Sequence, residues 1–327
     1  MKLSAFILCF VLCHSGTTQN FNNSYDWKNV SQVAWDIEIK DTNYVLFCGS
    51  LDSNNNRIGV YVLELTSSGI PISSNFLFNP TAQIAVGWAN STNPTRDGGY
   101  IMGGGIDDGV DYGYLVKFNA QGDTVWTKRH GANGFFDTFR QARQCKDGGF
   151  VAVGESNQRN GQLSDPWLVR TDSNGNFLWQ KFYGDVNKLE RFSSVFQTTD
   201  GGLIMGGILR DDRVASNRNT DPIIYKVDSL GLVQWSYWHD TPYDDVSAHA
   251  IQTMDGNYVF SASISVTKGS SAYSHPALFK LDPAGNLMWV KKYGPTGSNT
   301  GLMMVKELPD SSLIAVGRIG LGITSKA

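Results

Sequence analysis

A unit of about fifty residues returns six times along the chain. That repetition restricts the fold more than any other feature, because each copy must pack on its neighbours in the same way. The marker is an Asp-Gly-Gly turn: Asp97-Gly98-Gly99, Asp147-Gly148-Gly149 and Asp200-Gly201-Gly202. It decays to Asp255-Gly256-Asn257, Asp310-Ser311-Ser312 and Asp41-Thr42-Asn43. From Asp41 onward the steps are 56, 50, 53, 55 and 55 residues. Each turn is followed by an apolar run, as in Phe150 to Gly154 and Leu203 to Gly207. A polar loop then leads to a second run: Tyr114 to Phe118, Trp167 to Arg170, Ile223 to Val227 and Ala277 to Leu281. These end in turns with Gly in fourth place, at Gly122, Gly175, Gly231 and Gly285. Four residues after each of those glycines stands Trp126, Trp179, Trp235 or Trp289.

Short runs of apolar, β-branched and aromatic residues bounded by Gly, Asp and Asn are strand signals. Asp-Gly between two such runs marks a hairpin, since Gly accepts positive φ without a Cβ clash. Each unit therefore reads as four short strands, A to D, and no long window has helical periodicity. One small sheet is marginal alone, whereas sheets stacked face to face in a ring bury both faces. The expected architecture is all-β: a β-propeller of about six four-stranded blades, with the tryptophans filling the spaces between neighbouring blades. Phe21 to Asp26 matches the strand-D pattern of Trp179 to Gly184. An N-terminal strand is thus expected to close the last blade. The sixth repeat supplies strands A and B, but residues 321–327 give no convincing strand C, so the last blade reads as incomplete and the chain as a fragment.

Residues 1–18 have the form of a secretory signal peptide. Lys2 gives a positive start, Leu3 to Cys13 an apolar stretch too short to span a bilayer, and Ser15 to Thr18 small or polar residues. Residues 19–327 form the propeller domain, exported to the medium or the cell surface, with no membrane span and as a monomer. Its two remaining cysteines, Cys48 and Cys145, lie in different repeats and are expected to stay unpaired. A net charge of −3 with no basic run argues against nucleic acid or anionic membrane as partner.

The pattern Asp-Gly-Gly-apolar-Gly, followed by Leu-Val-Lys-apolar-Asp-x-x-Gly-Asn-apolar-x-Trp, resembles the propeller repeats of exported Bacteroidetes proteins and is similar to delta-60 repeats. The resemblance runs from Phe21 to about Gly320. It implies the propeller fold and an association with type IX secretion, and it implies little about activity.

Three columns of residues carry the candidate chemistry. Glu38, Gln144, Gln197, Gln252 and Glu307 stand three residues before each turn Asp, with Pro94 breaking the series. They either line a polar channel or satisfy backbone groups of their own or the next blade. Asp137, Glu190 and Asp245 stand ten residues before the turn Asp. They are ligand-binding candidates at the mouth formed by the D–A loops, where converging carboxylates hold Ca²⁺ through oxygen; otherwise each caps its own loop. The B–C loops vary most and hold Asp107, Asp108, Asp111, Asp211 and Asp212. Variable loops on a rigid scaffold are where recognition lives. Asp172 to Asn176 lacks the downstream Glu of a calcium loop and reads as a hairpin turn. No HExxH, GxSxG or phosphate-loop pattern occurs, no catalytic residue is assigned, and no cofactor besides that possible Ca²⁺ is implied. His130 and His239 share the register of Tyr183 and Tyr293 and read as structural.

The expected function is an exported, non-catalytic binding module for an extracellular protein, glycan or cell-surface material. Its rivals are a secreted polysaccharide hydrolase or lyase acting at the channel mouth, for which Asp137 and Glu190 would be the carboxylates, and a structural spacer in a longer protein.

Overall fold

The computed structural model describes residues 31–52, 57–87, 90–159, 161–210, 219–241, 244–265, 274–294 and 299–320. Among them every regular element is a strand, as expected for an all-β chain. The chain divides into two compact units, Met1–Gln144 and Cys145–Ala327.

In the first unit β1 (Ser31–Lys40), β2 (Asn43–Asp52), β3 (Arg57–Leu65) and β4 (Pro71–Leu77) pair in order as an antiparallel sheet. The second repeat differs. Its first strand is broken into β5 (Gln83–Val86) and β6 (Thr92–Pro94), and both pieces pair with β7 (Tyr100–Asp107). β8 (Asp111–Phe118) and β9 (Thr124–His130) complete that sheet. β10 (Asp137–Gln144) lies against β7 and β8. The core of this unit gathers Phe47, Val60, Val62, Tyr100, Met102, Val116 and Phe118.

In the second unit β11 (Phe150–Ser156), β12 (Asp165–Thr171) and β13 (Phe177–Phe182) form a meander. So do β14 (Leu189–Gln197), β15 (Leu203–Arg210), β16 (Thr220–Val227) and β17 (Val233–Trp238). The next is β18 (Val246–Gln252), β19 (Tyr258–Ser265), β20 (Ser274–Leu281) and β21 (Leu287–Lys292). The sixth repeat appears as the hairpin of β22 (Asn299–Glu307) and β23 (Leu313–Gly320). It is not a separate sheet, because the parallel pair Ser274–Asn299 joins β22 to β20. The strand expected at Phe21 to Asp26, the signal peptide and residues 321–327 lie outside the described residues. Cys48 and Cys145 are both buried and free.

The turns form for the reason read from sequence. The middle residue of the Asp-Gly-Gly motif is left-handed at Gly98, Gly148, Gly201 and Gly256, and in the sixth repeat Ser311 is forced to φ 65°. The next glycine is needed for space. A Cβ on Gly202 would stand 2.3 Å from the Val227 carbonyl oxygen and 2.5 Å from Lys226 Nζ. That gap lets a strand-C cation reach back to the turn carboxylate. Lys117 pairs with Asp97 at 2.8 Å and Lys226 with Asp200 at 2.9 Å, while Arg170 pairs with Asp147 and Lys280 with Asp255. In the first repeat the charges are reversed: Glu64 takes the cation's place and receives Lys40 at 3.2 Å.

The tryptophans stand opposite these same residues: Trp126 opposite Lys117, Trp179 opposite Arg170, Trp235 opposite Lys226 and Trp289 opposite Lys280. Within the second unit two of them serve the expected packing. Trp179 lies against Gly231 of the following repeat, and Trp235 lies against Gly285 while donating from Nε1 to the Pro283 carbonyl at 3.0 Å. The polar column also resolves. Gln144 accepts from the Arg96 N–H, Gln197 from Lys146, Gln252 from Thr199 and Glu307 from Met254. Each side chain therefore reaches the turn of the preceding repeat, not the following one. Gln197 and Gln252 also donate to carbonyls of their own turns, at Gly201 and Gly256.

Candidate functional site

The three carboxylates at the starts of strand A are buried, and each binds its own connecting loop. Asp137 is fully buried and its Oδ2 accepts from the Ala132 N–H at 2.8 Å. Glu190 Oε2 accepts from the Asp185 N–H at 2.6 Å. Gly131 and Gly184 make room for these two groups; a Cβ on Gly184 would sit 1.7 Å from Glu190 Oε2. Asp245 accepts from the Ser265 N–H at 2.6 Å and from the Thr241 hydroxyl at 2.9 Å. Burial raises the Glu190 and Asp245 carboxyls above the usual range, against the pull of those same donors. Among the described residues no three His, Cys, Asp or Glu side chains come together as metal ligands.

Two further buried carboxylates share this neighbourhood in the second unit, and sequence reasoning passed over them. Asp165 and Asp221 each precede a proline at the start of strand C, five residues before the cation. Asp165 binds Arg159, at 2.7 Å from Nε, and the same guanidinium reaches the Tyr183 and Gly184 carbonyls. Asp221 instead meets the Thr241 N–H at 3.2 Å and the Asn219 amide at 3.5 Å. Burial drives its carboxyl up to about 6, with Asp240 and Asp245 adding to the rise. The repeated Asp-Pro dipeptide was the available signal.

In the first unit the loop between β7 and β8 carries the other candidates. Asp107 is exposed and accepts from the Gly109 N–H at 2.8 Å. Asp108 pairs with Arg129, whose guanidinium stands 5.7 Å from the centre of the Tyr112 ring. Asp111 stands opposite Asp107, and burial, then Asp107 and Asp137, raise its carboxyl. Asp211 and Asp212 lie outside the described residues. His130 packs 5.9 Å from Phe139, and His239 packs 4.7 Å from Phe279.

The break between β5 and β6 makes a second polar cluster in the first unit. Strands β1, β14, β18 and β22 each carry a bulge at the equivalent place. In the second repeat that bulge widens into a segment ending in Asn90, Ser91, Thr92 and Asn93, all buried. Gln141 donates to the Asn90 carbonyl at 2.8 Å, and Asn93 donates to Ala142 at 3.0 Å. The Thr92 N–H reaches Asp36 Oδ2 at 2.7 Å. Burial lifts the Asp36 carboxyl well above the usual range; the Thr92 N–H opposes this, Glu38 adds to it and Arg143 also opposes it. Burial likewise depresses Arg143 to about 10, with Glu38 and Asp36 pulling it back up. Two carboxylates and a guanidinium thus act on one another here. The sequence signal was Pro94 breaking the polar column, in the longest of the repeat steps.

No family model and no curated protein matches the chain. Solved structures similar to it include a GH43 endo-arabinanase from Bacillus licheniformis, at 12% identity and TM-score 0.40, covering 78% of this chain and 96% of that one. Another is a β-1,2-mannobiose phosphorylase from Listeria innocua, at 11% identity and TM-score 0.38, covering 91% and 89%. A third is the β-propeller domain of the trilobed protease from Pyrococcus furiosus, at 8% identity and TM-score 0.34, covering 84% and 85%. At such identities and scores the likeness carries no argument about activity.

Proposed function

We propose that the protein is an exported binding module, a propeller of about six blades that takes an extracellular glycan or protein through its B–C loops. The observation that carries this reading is the division of labour among carboxylates. Asp137, Glu190 and Asp245 are buried and hold their own loops, which suits a scaffold. Asp107 and Asp108 are exposed on a loop whose ends are fixed by the β7–β8 ladder, which suits recognition. A glycan array probed with the mature protein tests it. Binding that weakens at least about tenfold in Asp107→Ala/Asp108→Ala supports the reading; binding unchanged by the pair removes it.

A second reading, a secreted polysaccharide hydrolase, is favoured by one observation. Burial raises the Asp36 carboxyl well above the usual range while Glu38 and Arg143 act on it, and a raised carboxyl beside another is how an acid is separated from a base. Release of reducing ends that is lost in Asp36→Asn would support it.

A further inference from the structure

We propose that the cleft between the β14–β17 sheet and the β18–β21 sheet is a saccharide subsite, one that takes a neutral sugar ring by two neighbouring hydroxyls. It lies in the second unit, and its volume is about 440 Å³, within the range of small-ligand sites. Asp200, Lys226, Gln234, Trp235, Tyr258 and Pro283 are among its lining residues. Asp200 belongs to the β14–β15 turn and Pro283 to the β20–β21 turn, at the strand ends opposite the B–C loops of their repeats. The subsite therefore uses no B–C loop and does not rest on the reading given above for those loops.

Departures from the repeat meet at this one place. Val125, Leu178 and Met288, each exposed, precede the tryptophan in other repeats, whereas Gln234 precedes Trp235. Leu203 and Leu313 share the cores of Trp179 and Trp289, but Trp235 meets Tyr258 edge to face, with ring centres 5.3 Å apart. Pro283 stands where the preceding repeat has Ser229, and its carbonyl accepts from the Trp235 indole at 3.0 Å.

The polar groups so gathered are incompletely used. Gln234 Oε1 receives Lys226 at 2.9 Å, and its amide N–H groups meet no acceptor among the described residues. Tyr258 is 5% exposed, and its hydroxyl makes no hydrogen bond with the described residues. Asp200 is half exposed. Its Oδ1 takes the Gly202 N–H and the Thr198 hydroxyl, while Oδ2 takes only Lys226 and keeps an acceptor position open. Burial would raise the Asp200 carboxyl, but Lys226 and Thr198 hold it at about 2. Its charge adds to the rise that burial gives the Tyr258 phenol, so the two groups lie close in the cleft.

Charge and hydrogen-bond pattern together define the ligand. Asp200 and Lys226 cancel one another, so a charged ligand would meet no net countercharge. A hydroxyl donating to Asp200 Oδ2, beside one accepting from the Gln234 amide or the Tyr258 hydroxyl, fills the open positions. Adjacent hydroxyls on a saturated ring supply that pair, and the C–H groups of the ring meet the Pro283 and Trp235 walls. An unmade bond at a nearly buried hydroxyl costs free energy that a ligand hydroxyl recovers.

The test is an NMR titration of residues 19–327 with the Trp235 indole N–H as reporter, assigned from the Trp235→Phe spectrum. The probes are the methyl glycosides of glucose, galactose, mannose and xylose, with cyclohexanol as the single-hydroxyl control. The expected result is a saturable shift for at least one glycoside, with a dissociation constant of about 1–10 mM. Tyr258→Phe removes only a hydroxyl, so melting stays unchanged while binding weakens about threefold or more. Gln234→Leu, which gives this repeat the residue type of Leu178, weakens binding similarly. No shift with any glycoside at about 100 mM, an equal response to cyclohexanol, or unchanged binding in either variant overturns the proposal. A shift lost in Asp107→Ala/Asp108→Ala would give the glycoside to the B–C loops and overturn it as well.

Discussion

Replacing Lys226 with Met tests the clamp that four of the repeats share. The ammonium is 2% exposed and donates to three oxygens: Asp200 Oδ2 at 2.9 Å, the Val227 carbonyl at 3.0 Å and Gln234 Oε1 at 2.9 Å. Counted singly, bonds to a charged donor are each worth about 1.5–3 kcal/mol. They do not sum here, because Asp200 is half exposed and Gln234 is exposed, so both recover water when the lysine goes. The Val227 residue is fully buried, so its carbonyl loses a partner without replacement. Methionine keeps the apolar stem in place, so little packing is lost. The expected cost is about 2 kcal/mol, with the hydrogen bonds and not the cavity as its source. Asp200→Asn retains the acceptor for the Gly202 N–H and the Thr198 hydroxyl but removes the countercharge from a buried ammonium. Its cost is about 1–2 kcal/mol, below the value for a fully buried pair, because water reaches the carboxylate. Urea unfolding followed by tryptophan emission gives both numbers and that of the double variant. The clamp predicts a coupling of about 1 kcal/mol between the two sites. A Lys226→Met protein within about 0.5 kcal/mol of wild type, or a coupling near zero, would refute the reasoning.

Three other outcomes follow from the same geometry. Ser311 occupies a left-handed position that glycine fills in four other repeats, so Ser311→Gly raises stability by about 1 kcal/mol in urea unfolding. Gln197→Ala removes the acceptor for the Lys146 N–H and lowers stability by about 1 kcal/mol, whereas Gln197→Glu, which keeps an acceptor, costs less. Asp221 has its folded carboxyl raised to about 6, so its contribution to stability is fully present below about pH 4 and lost as pH rises through 6. Asp221→Asn should therefore be no more stable than wild type at pH 4 and gain on it by up to about 2–3 kcal/mol by pH 7, read as melting temperature against pH.

What could be read in the sequence was local. The left-handed glycines, the strand pairs they join and the Trp register depend on residues within one repeat, so a single copy predicts them. The polar column was half legible. Gln144, Gln197 and Gln252 announced a backbone-satisfying role by their spacing, but the partner lies one repeat earlier in space, at Arg96, Lys146 and Thr199. The carboxylates at 137, 190 and 245 share one column because each is tied to its own loop, and shared spacing alone does not distinguish that from convergence on a ligand. The cluster of Asp36, Asn90 to Asn93 and Arg143 was hidden for a different reason. It exists where the second repeat departs from the pattern, and repeat logic discards departures as noise. The joining of β22 to β20 was likewise invisible, since it rests on one backbone pair between residues that no periodicity connects.

The proposed role is binding without cutting. Native affinity electrophoresis of residues 19–327 in gels cast with a panel of polysaccharides, with reducing ends assayed in the same gels, is the decisive measurement. Retardation by at least one polymer with no new reducing ends is expected, with loss of retardation in Asp107→Ala/Asp108→Ala. New reducing ends that vanish in Asp36→Asn would contradict it.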